Sequence, residues 1–438
     1  MKMRIAGLFS LHAISFILVA CSKPGNGQTI TPVNKDTGLV NTSHLDYLYT
    51  PVVFPNGAKA AGVYIYADAP DYHLVEASGE GFACVDDVAR AALVYLRSTK
   101  FLTDTSMQAK AYSLVRFILE MQSSNGYFYN FLFSNGLINK AGITSIDNPN
   151  WWSWRALQVL TEAAPLIKNK DAVLYNRMND AVNKLIINIK RDFINLPLVT
   201  KTVNGIVVPQ WLPEGSGTDQ SASLITGLIP YCVANNDAVI KDYIKKLADG
   251  IVLMQQGAAG LAPYGAFLSW ENTWHAYGNL QAYALLQAGA FLNDAQYSAK
   301  AIIEIDNFYA LQLQTGFKNS FELSKTAGVL EVINEKNFDQ IAYGIEPMVF
   351  ATAEAYKLTG NNKYADMAGH LAAWFLGANA AAINMYDRST GRCYDGISSA
   401  SNINHNSGAE STIEALLTLQ KVEAYPAIKT ALYQYKKP

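Results

Sequence analysis

The 438-residue chain is 50% hydrophobic and 16% charged with a formal net charge of -2, so it has the apolar material for a large core. That near-neutral balance lacks the basic stripe of a nucleic-acid binder and excludes that class of partner. Aromatic residues are plentiful (Trp 7, Tyr 25, Phe 18), and many fall in loop-like stretches where they could stack on the apolar faces of sugar rings.

The N-terminus "MKMRIAGLFSLHAISFILVAC" has a basic start, a short apolar run and a cysteine. It is too short for a stable membrane span and reads as a secretory signal over residues 1–20. It resembles a bacterial lipoprotein signal, which implies lipidation of Cys21, a membrane anchor, and a periplasmic or cell-surface location in a bacterial envelope. Residues 21–45 read as a flexible tether, and 46–438 as one domain. The three remaining cysteines, Cys84, Cys232 and Cys393, fit no zinc spacing.

Helical periodicity dominates the rest of the chain. It predicts helices at 86–99, 105–123, 151–168, 172–190, 217–234, 237–256, 274–290, 294–313, 341–359, 361–377, 407–420 and 422–435. Strand signals are few: "GVYIYA" at 62–67 and "NGIVVP" at 204–209. The helices pair through short turns such as "KNKDA" and "FLNDA", and the pairs join through long loops rich in aromatics, glycine and carboxylates. Six such hairpins predict an all-α fold, an (α/α)6 toroid with the long loops on one face. A solenoid would need a clearer repeat period.

The first helix of each pair would form an inner ring with its N-terminus on the long-loop face. Six acids open those helices or their loops: Asp86 and Asp87 in "CVDDVARAALVYL", Glu214, Glu271, Glu346 and Glu410. They are expected to line one cavity. Asp219 also stands in a first turn. Asp and Glu there are ordinary caps, but a cap needs one carboxylate, not the two at Asp86–Asp87. Trp151, Trp152, Trp211, Trp270 and Trp274 are candidate sugar platforms, and at least two are expected to be partly exposed. Arg90, Arg155, His275, Tyr277, Asn279, Tyr394, Asn404, His405 and Asn406 are candidate hydroxyl-binding groups. Cys84 and Cys393 belong to loops of the same face and are expected to approach each other without a bond.

The same segments carry a resemblance. "CVDDVARAALVYL" is similar to "CxDDNARAL", "FILEMQSSNGYFYNF" (117–131) to "hxxAQxxxGxFxNF", and "SWENTWHAYGNLQAYALLQAG" to "WFExxxTYDNARxPxALLxAG". The run "WFLGANAAAINMYDRSTGRCYDGI", with "NHNSGAESTIEALLTL" after it, resembles "WFLGxNxxxxxxYDxxTGGCYDGL" and "NxNxGAESTLxxLLAL". The patterns these segments resemble are those of a six-hairpin glycosidase-like domain often fused to bacterial glycosyltransferases. The resemblance covers nearly the whole chain after the tether. It implies the toroid and a carbohydrate ligand, and carries over Asp86, Asp87, Arg90, Glu271, Asp387, Tyr394, Asp395, Asn404, Asn406 and Glu410. Two departures stand out. Tyr277 replaces the aspartate of "TYDNAR", and "DSHGRAL" becomes "DNPNWWSWRAL", keeping Arg155 but with Asp147 four residues early.

Glycosidic cleavage needs one protonated carboxyl and one carboxylate. The expected function is therefore glycoside hydrolysis of an oligo- or polysaccharide by a monomer without cofactor or metal. Glu271 is assigned as general acid and Asp87 as base or nucleophile, with Asp86 and Glu410 as neighbours that set their pKa values or bind hydroxyls. The alternatives are a polysaccharide lyase or sugar epimerase using His275 and Tyr277, or a non-catalytic glycan-binding lipoprotein.

Overall fold

The computed structural model describes residues 38–437; the signal segment and Cys21 lie outside the described residues. The packed body begins at Gly38, earlier than the expected tether boundary, because Leu39 and Leu45 are already buried. A short helix, α1 (Ser43–Leu48), leads into the antiparallel pair Tyr49–Val53 and Lys59–Val63.

Twelve helices then form six hairpins. The first members are α2 (Val85–Leu96), α4 (Trp151–Ile167), α6 (Thr218–Asn235), α8 (Gln281–Leu292), α11 (Ala342–Thr359) and α13 (Ala409–Glu423). The second members are α3 (Thr105–Glu120), α5 (Ala172–Asp192), α7 (Ala238–Leu253), α9 (Ala295–Glu304), α12 (Asn362–Ala372) and α14 (Pro426–Tyr435). After α9 the chain continues through a π-helical turn, Ile305–Tyr309, into α10 (Ala310–Thr315). Each first helix packs on the next, α2 on α4, α4 on α6, α6 on α8, α8 on α11 and α11 on α13. Finally α13 packs back on α2 and closes the ring. Each second helix packs on its own partner outside.

The two rings differ in sequence for a physical reason. Inner helices are buried on nearly every side; in α2 only Asp86 is not. Outer helices follow short turns and start on a side-chain cap: Asp104, Asp171, Asp237, Asp294 and Asn361 accept first-turn N–H groups of α3, α5, α7, α9 and α12. The N-termini of α6, α8, α11 and α13 carry no such cap. Of their two first-turn acids, Asp219 accepts the Gln220 N–H at 2.6 Å, while Glu410 caps nothing.

The helix expected at 274–290 starts later. Thr273–His275 is instead a strand on Ser320–Thr326, which pairs in turn with Val329–Lys336. That hairpin reads as loop in the sequence. Gly278, at φ +63°, turns the chain between strand and helix. The segment "NGIVVP" does form a hairpin, Thr200–Val203 with Ile206–Pro209.

Candidate active site

The loop face holds a cleft of about 350 Å³ between the N-termini of α2 and α13, lined by Tyr66, Asp86, Asp87, Arg90, Asn130, Asp395 and Glu410 among others. Helix α2 begins where the Cys84 Sγ accepts the Asp87 N–H at 3.4 Å. One turn later Arg90 points between four carboxyl groups. Its Nη2 lies 2.7 Å from Asp87, 3.4 Å from Asp86 and 3.6 Å from Glu410. Its Nη1 pairs with Glu414, one turn beyond Glu410 on α13. Since Asp86 Oδ2 and Glu410 Oε2 share one nitrogen, the two contacts together put them at most 7.0 Å apart.

A second cation completes the cluster. Arg155 of α4 lies 3.4 Å from Asp86 and donates to the Tyr343 hydroxyl. The Tyr343 ring faces the Arg90 guanidinium at 4.6 Å. Four carboxyls thus crowd two guanidinium groups in a shielded place, and the surplus keeps protons bound. Burial pushes Asp87 up to about 6 against the pull of Arg90, with Asp86 adding to the rise. Burial also pushes Glu410 up to about 8, again against Arg90 and with Asp87, Glu414 and Asp86 adding. The Glu410 side chain keeps 44% of its surface open. The open part faces the cleft, where water weakens the push from burial, and the crowding by Asp87, Glu414 and Asp86 acts in the same upward direction. Below the cleft, on the ring axis, Glu346 of α11 is buried near Glu414 and is likewise pushed up to about 8.

The expected common cavity holds three of its six acids: Asp86, Asp87 and Glu410. The structure does not bring Glu271 there. Its carboxylate pairs with Lys201 of the Thr200–Val203 strand, and its N–H donates to Ser216 at 3.0 Å. Glu214 is exposed on the same rim, where its carbonyl accepts Trp270 Nε1 at 3.1 Å. Asp219 is engaged by His275 Nε2 at 3.0 Å, and His275 Nδ1 faces the Tyr277 carbonyl at 2.9 Å.

The tryptophans divide. Trp270 is exposed and Trp151 half-buried, beside Gly278 and within 6.0 Å of the Arg155 guanidinium. Trp152, Trp211 and Trp274 belong to the core: Trp152 Nε1 donates to the Phe128 carbonyl at 2.6 Å, and Trp274 stacks on Phe321. Asn279 is also buried, with neither amide atom hydrogen-bonded. Asp387 is used by its own turn, accepting from Ser389 and Thr390. Asp395 lines the cleft and holds Gly408 N–H and Ser411 Oγ. Asn406 bonds Asp68, and Asn404 accepts the Asn406 N–H. The exposed His405 ring lies edge-on to Tyr394. Cys84 and Cys393 are free and buried; Cys84 lines the cleft and the Cys393 carbonyl accepts from Ser411, another cleft residue. Among the described residues no group of His, Cys, Asp or Glu could hold a metal ion.

Glu414, Tyr343, Tyr66 and Asn130 were not singled out by the sequence. Glu414 had a readable signal: a carboxylate four residues after Glu410 on the same helix face, within the apolar run "IEALL".

No family model matches the chain, and no curated protein matches it. Solved structures do. A cellobiose 2-epimerase from Bacillus thermoamylovorans superposes with TM-score 0.56 and 13% identity, over 83% of this chain and 92% of that one. A sugar epimerase from a ruminal bacterium gives 0.58 and 12%, again over 83% and 92%. A family 76 glycoside hydrolase from a bovine Bacteroides thetaiotaomicron strain gives 0.54 and 12%, over 91% and 78%. The fold is the (α/α)6 toroid. At these identities the likeness is one of architecture, which hosts more than one chemistry.

Proposed function

We propose that this protein is a carbohydrate-active enzyme that hydrolyses glycosidic bonds, with Glu410 as general acid and Asp86 as base or nucleophile. The observation that carries the reading is the pair itself. Two carboxyls on adjacent inner-helix N-termini share Arg90 Nη2 in an open cleft, and one of them is pushed up to about 8. Glu410 would give its proton to the leaving oxygen as the C–O bond breaks. Asp86 would take a proton from the water whose oxygen bonds to the anomeric carbon, or attack that carbon first. Asp87, 6% exposed and tied to Arg90, is a positioning residue rather than the base. Glu271, held by Lys201 on the rim, is replaced as acid by Glu410.

A second reading, sugar epimerisation, draws on the epimerase neighbours and on His275 beside Asp219. Both ring nitrogens of His275 are already engaged, which counts against it as the base at a sugar carbon. Reducing-end release from a polysaccharide panel, absent in Glu410→Gln, tests the hydrolase reading. Epimer formation without new reducing ends would replace it, and binding without any product would make the protein a glycan-binding module. The reading extends to a lipid-anchored envelope enzyme on the strength of residues 1–21. Loss of fatty-acid labelling in Cys21→Ser tests that part.

A further inference from the structure

Four tyrosine and tryptophan side chains are exposed among the described residues, and three of them stand on the site face, Tyr66 in a short strand and Tyr277 and Trp270 in loops. Tyr66 lines the acid cleft beside α2 and α13. Tyr277 and Trp270 stand in the segment that leads into α8, on the opposite side of the ring. At the usual interaxial spacing of 8–10 Å, opposite members of a six-helix ring are about 16–20 Å apart. Contacts lead part of the way across, from Arg90 to Tyr277. Tyr277 stacks on His275 with ring centroids 3.7 Å apart, and the neighbouring Gly278 packs against Trp151 and Tyr343. The Tyr343 ring in turn covers Arg90 at the cleft.

Trp270 is built, not incidental. Its indole N–H is tied to the Glu214 carbonyl at 3.1 Å, and 44% of the residue stays open. Glu214 and Glu271, which fix it from both sides, have φ of +54° and +48°, a region where non-glycine residues are strained. The cleft adds a charge condition. Glu80, Asp86, Asp87 and Asp395 line it beside the protonated Glu410, with Arg90 in the wall and Arg155 behind Asp86 as cations, so acids outnumber cations and the field disfavours acidic sugars.

We infer that the substrate is an uncharged polysaccharide chain laid across the ring, cleaved at Asp86 and Glu410 and held at its far end by stacking on Trp270. This rests on the hydrolase reading and goes further by fixing the length and charge of the substrate. The test uses the full chain with soluble mannan, xylan, mixed-linkage β-glucan and arabinan, and with polygalacturonate and alginate as acidic counterparts. New reducing ends are expected from a neutral chain only. With the hexa- and disaccharide of that chain, the preference in kcat/KM for the longer one should fall about tenfold in Trp270→Ala, the size of one lost stack. Trp270→Phe should recover part of it. An unchanged preference, or an equal loss on both lengths, overturns the inference and leaves the hydrolase reading standing. Cleavage of an acidic chain overturns the charge condition. If none of the six polymers is cut, the hydrolase reading falls and takes the inference with it.

Discussion

Two quadrants of the loop face carry the same residue types to different ends. Beside α2 and α13, Asp86, Asp87, Glu410 and Glu414 converge on Arg90, with Arg155 as the only further cation in contact among the described residues. Beside α6 and α8 the carboxylates stand apart: Asp219 meets His275, Glu271 meets Lys201, and Glu214 is exposed on the rim. In the first quadrant charge is unbalanced and sheltered, so protons stay bound at pH values where carboxyls are ordinarily ionised. In the second each acid is held or exposed separately, and none shares a cation with another. The comparison teaches that an acid beside an inner-helix N-terminus becomes a proton donor first through burial and then through the carboxyls that crowd it, not through its position in the sequence.

The sharpest way to break that contrast is to remove one acid from each side. Glu410→Gln should lower turnover by about 10²–10⁴-fold, the usual worth of a general acid. Glu271→Gln should leave turnover near wild type. Equal losses, measured as initial rates on the neutral chain that the enzyme cleaves, would erase the distinction.

The next effect concerns stability. Arg90 is buried and compensates Asp87 and Glu414, so Arg90→Met should cost roughly 3–5 kcal/mol in denaturant unfolding. Lys201→Met removes one end of a partly exposed pair and should cost within about 1 kcal/mol. Similar costs would mean that the two quadrants are held alike.

Linkage gives a third, smaller effect. Glu346 and Glu410, and Glu304 beside the π-helical turn, are all pushed from 4.5 up to about 8 by burial. Their folded forms hold protons more tightly than the unfolded chain does. The stability this contributes is full below pH 4.5, declines as pH rises through about 8, and is then gone. Melting temperature should fall over that window, and Glu304→Gln or Glu346→Gln should each flatten the fall. A curve that rises across the window contradicts the assignment. Activity should also drop as pH passes about 8, when Glu410 loses its proton.

Smallest is the helix cap. Cys84→Ser keeps an acceptor for the Asp87 N–H and should change stability by less than about 1 kcal/mol. Denatured, unreduced protein lacking Cys21 should titrate as the three free thiols Cys84, Cys232 and Cys393; fewer would reveal a bond.

The helices were legible because their signals are local. Apolar periodicity and a capping Asp or Asn after each short turn announce α3, α5, α7, α9 and α12. Asp86, Asp87 and Glu410 were legible as first-turn acids, although Asp86 and Glu410 read equally well as ordinary caps and only Asp87 exceeded what a cap needs. What stayed hidden depends on distant partners. Glu414 reaches Arg90 across 324 positions, a pairing made only when the ring closes. Lys201 comes from a hairpin 70 positions before Glu271 and takes it out of contention as the acid. Trp274 reads as a loop platform until the strand at Ser320–Thr326 pairs beside it and stacks Phe321 on its ring.

The central claim is that Glu410 keeps its proton at neutral pH. Carboxyl-carbon NMR of glutamate-labelled protein, with Glu410→Gln identifying the resonance, measures it directly. The account predicts a titration midpoint of about 8 for Glu410. A midpoint at the ordinary 4.5 would leave the cleft without its acid and contradict the account.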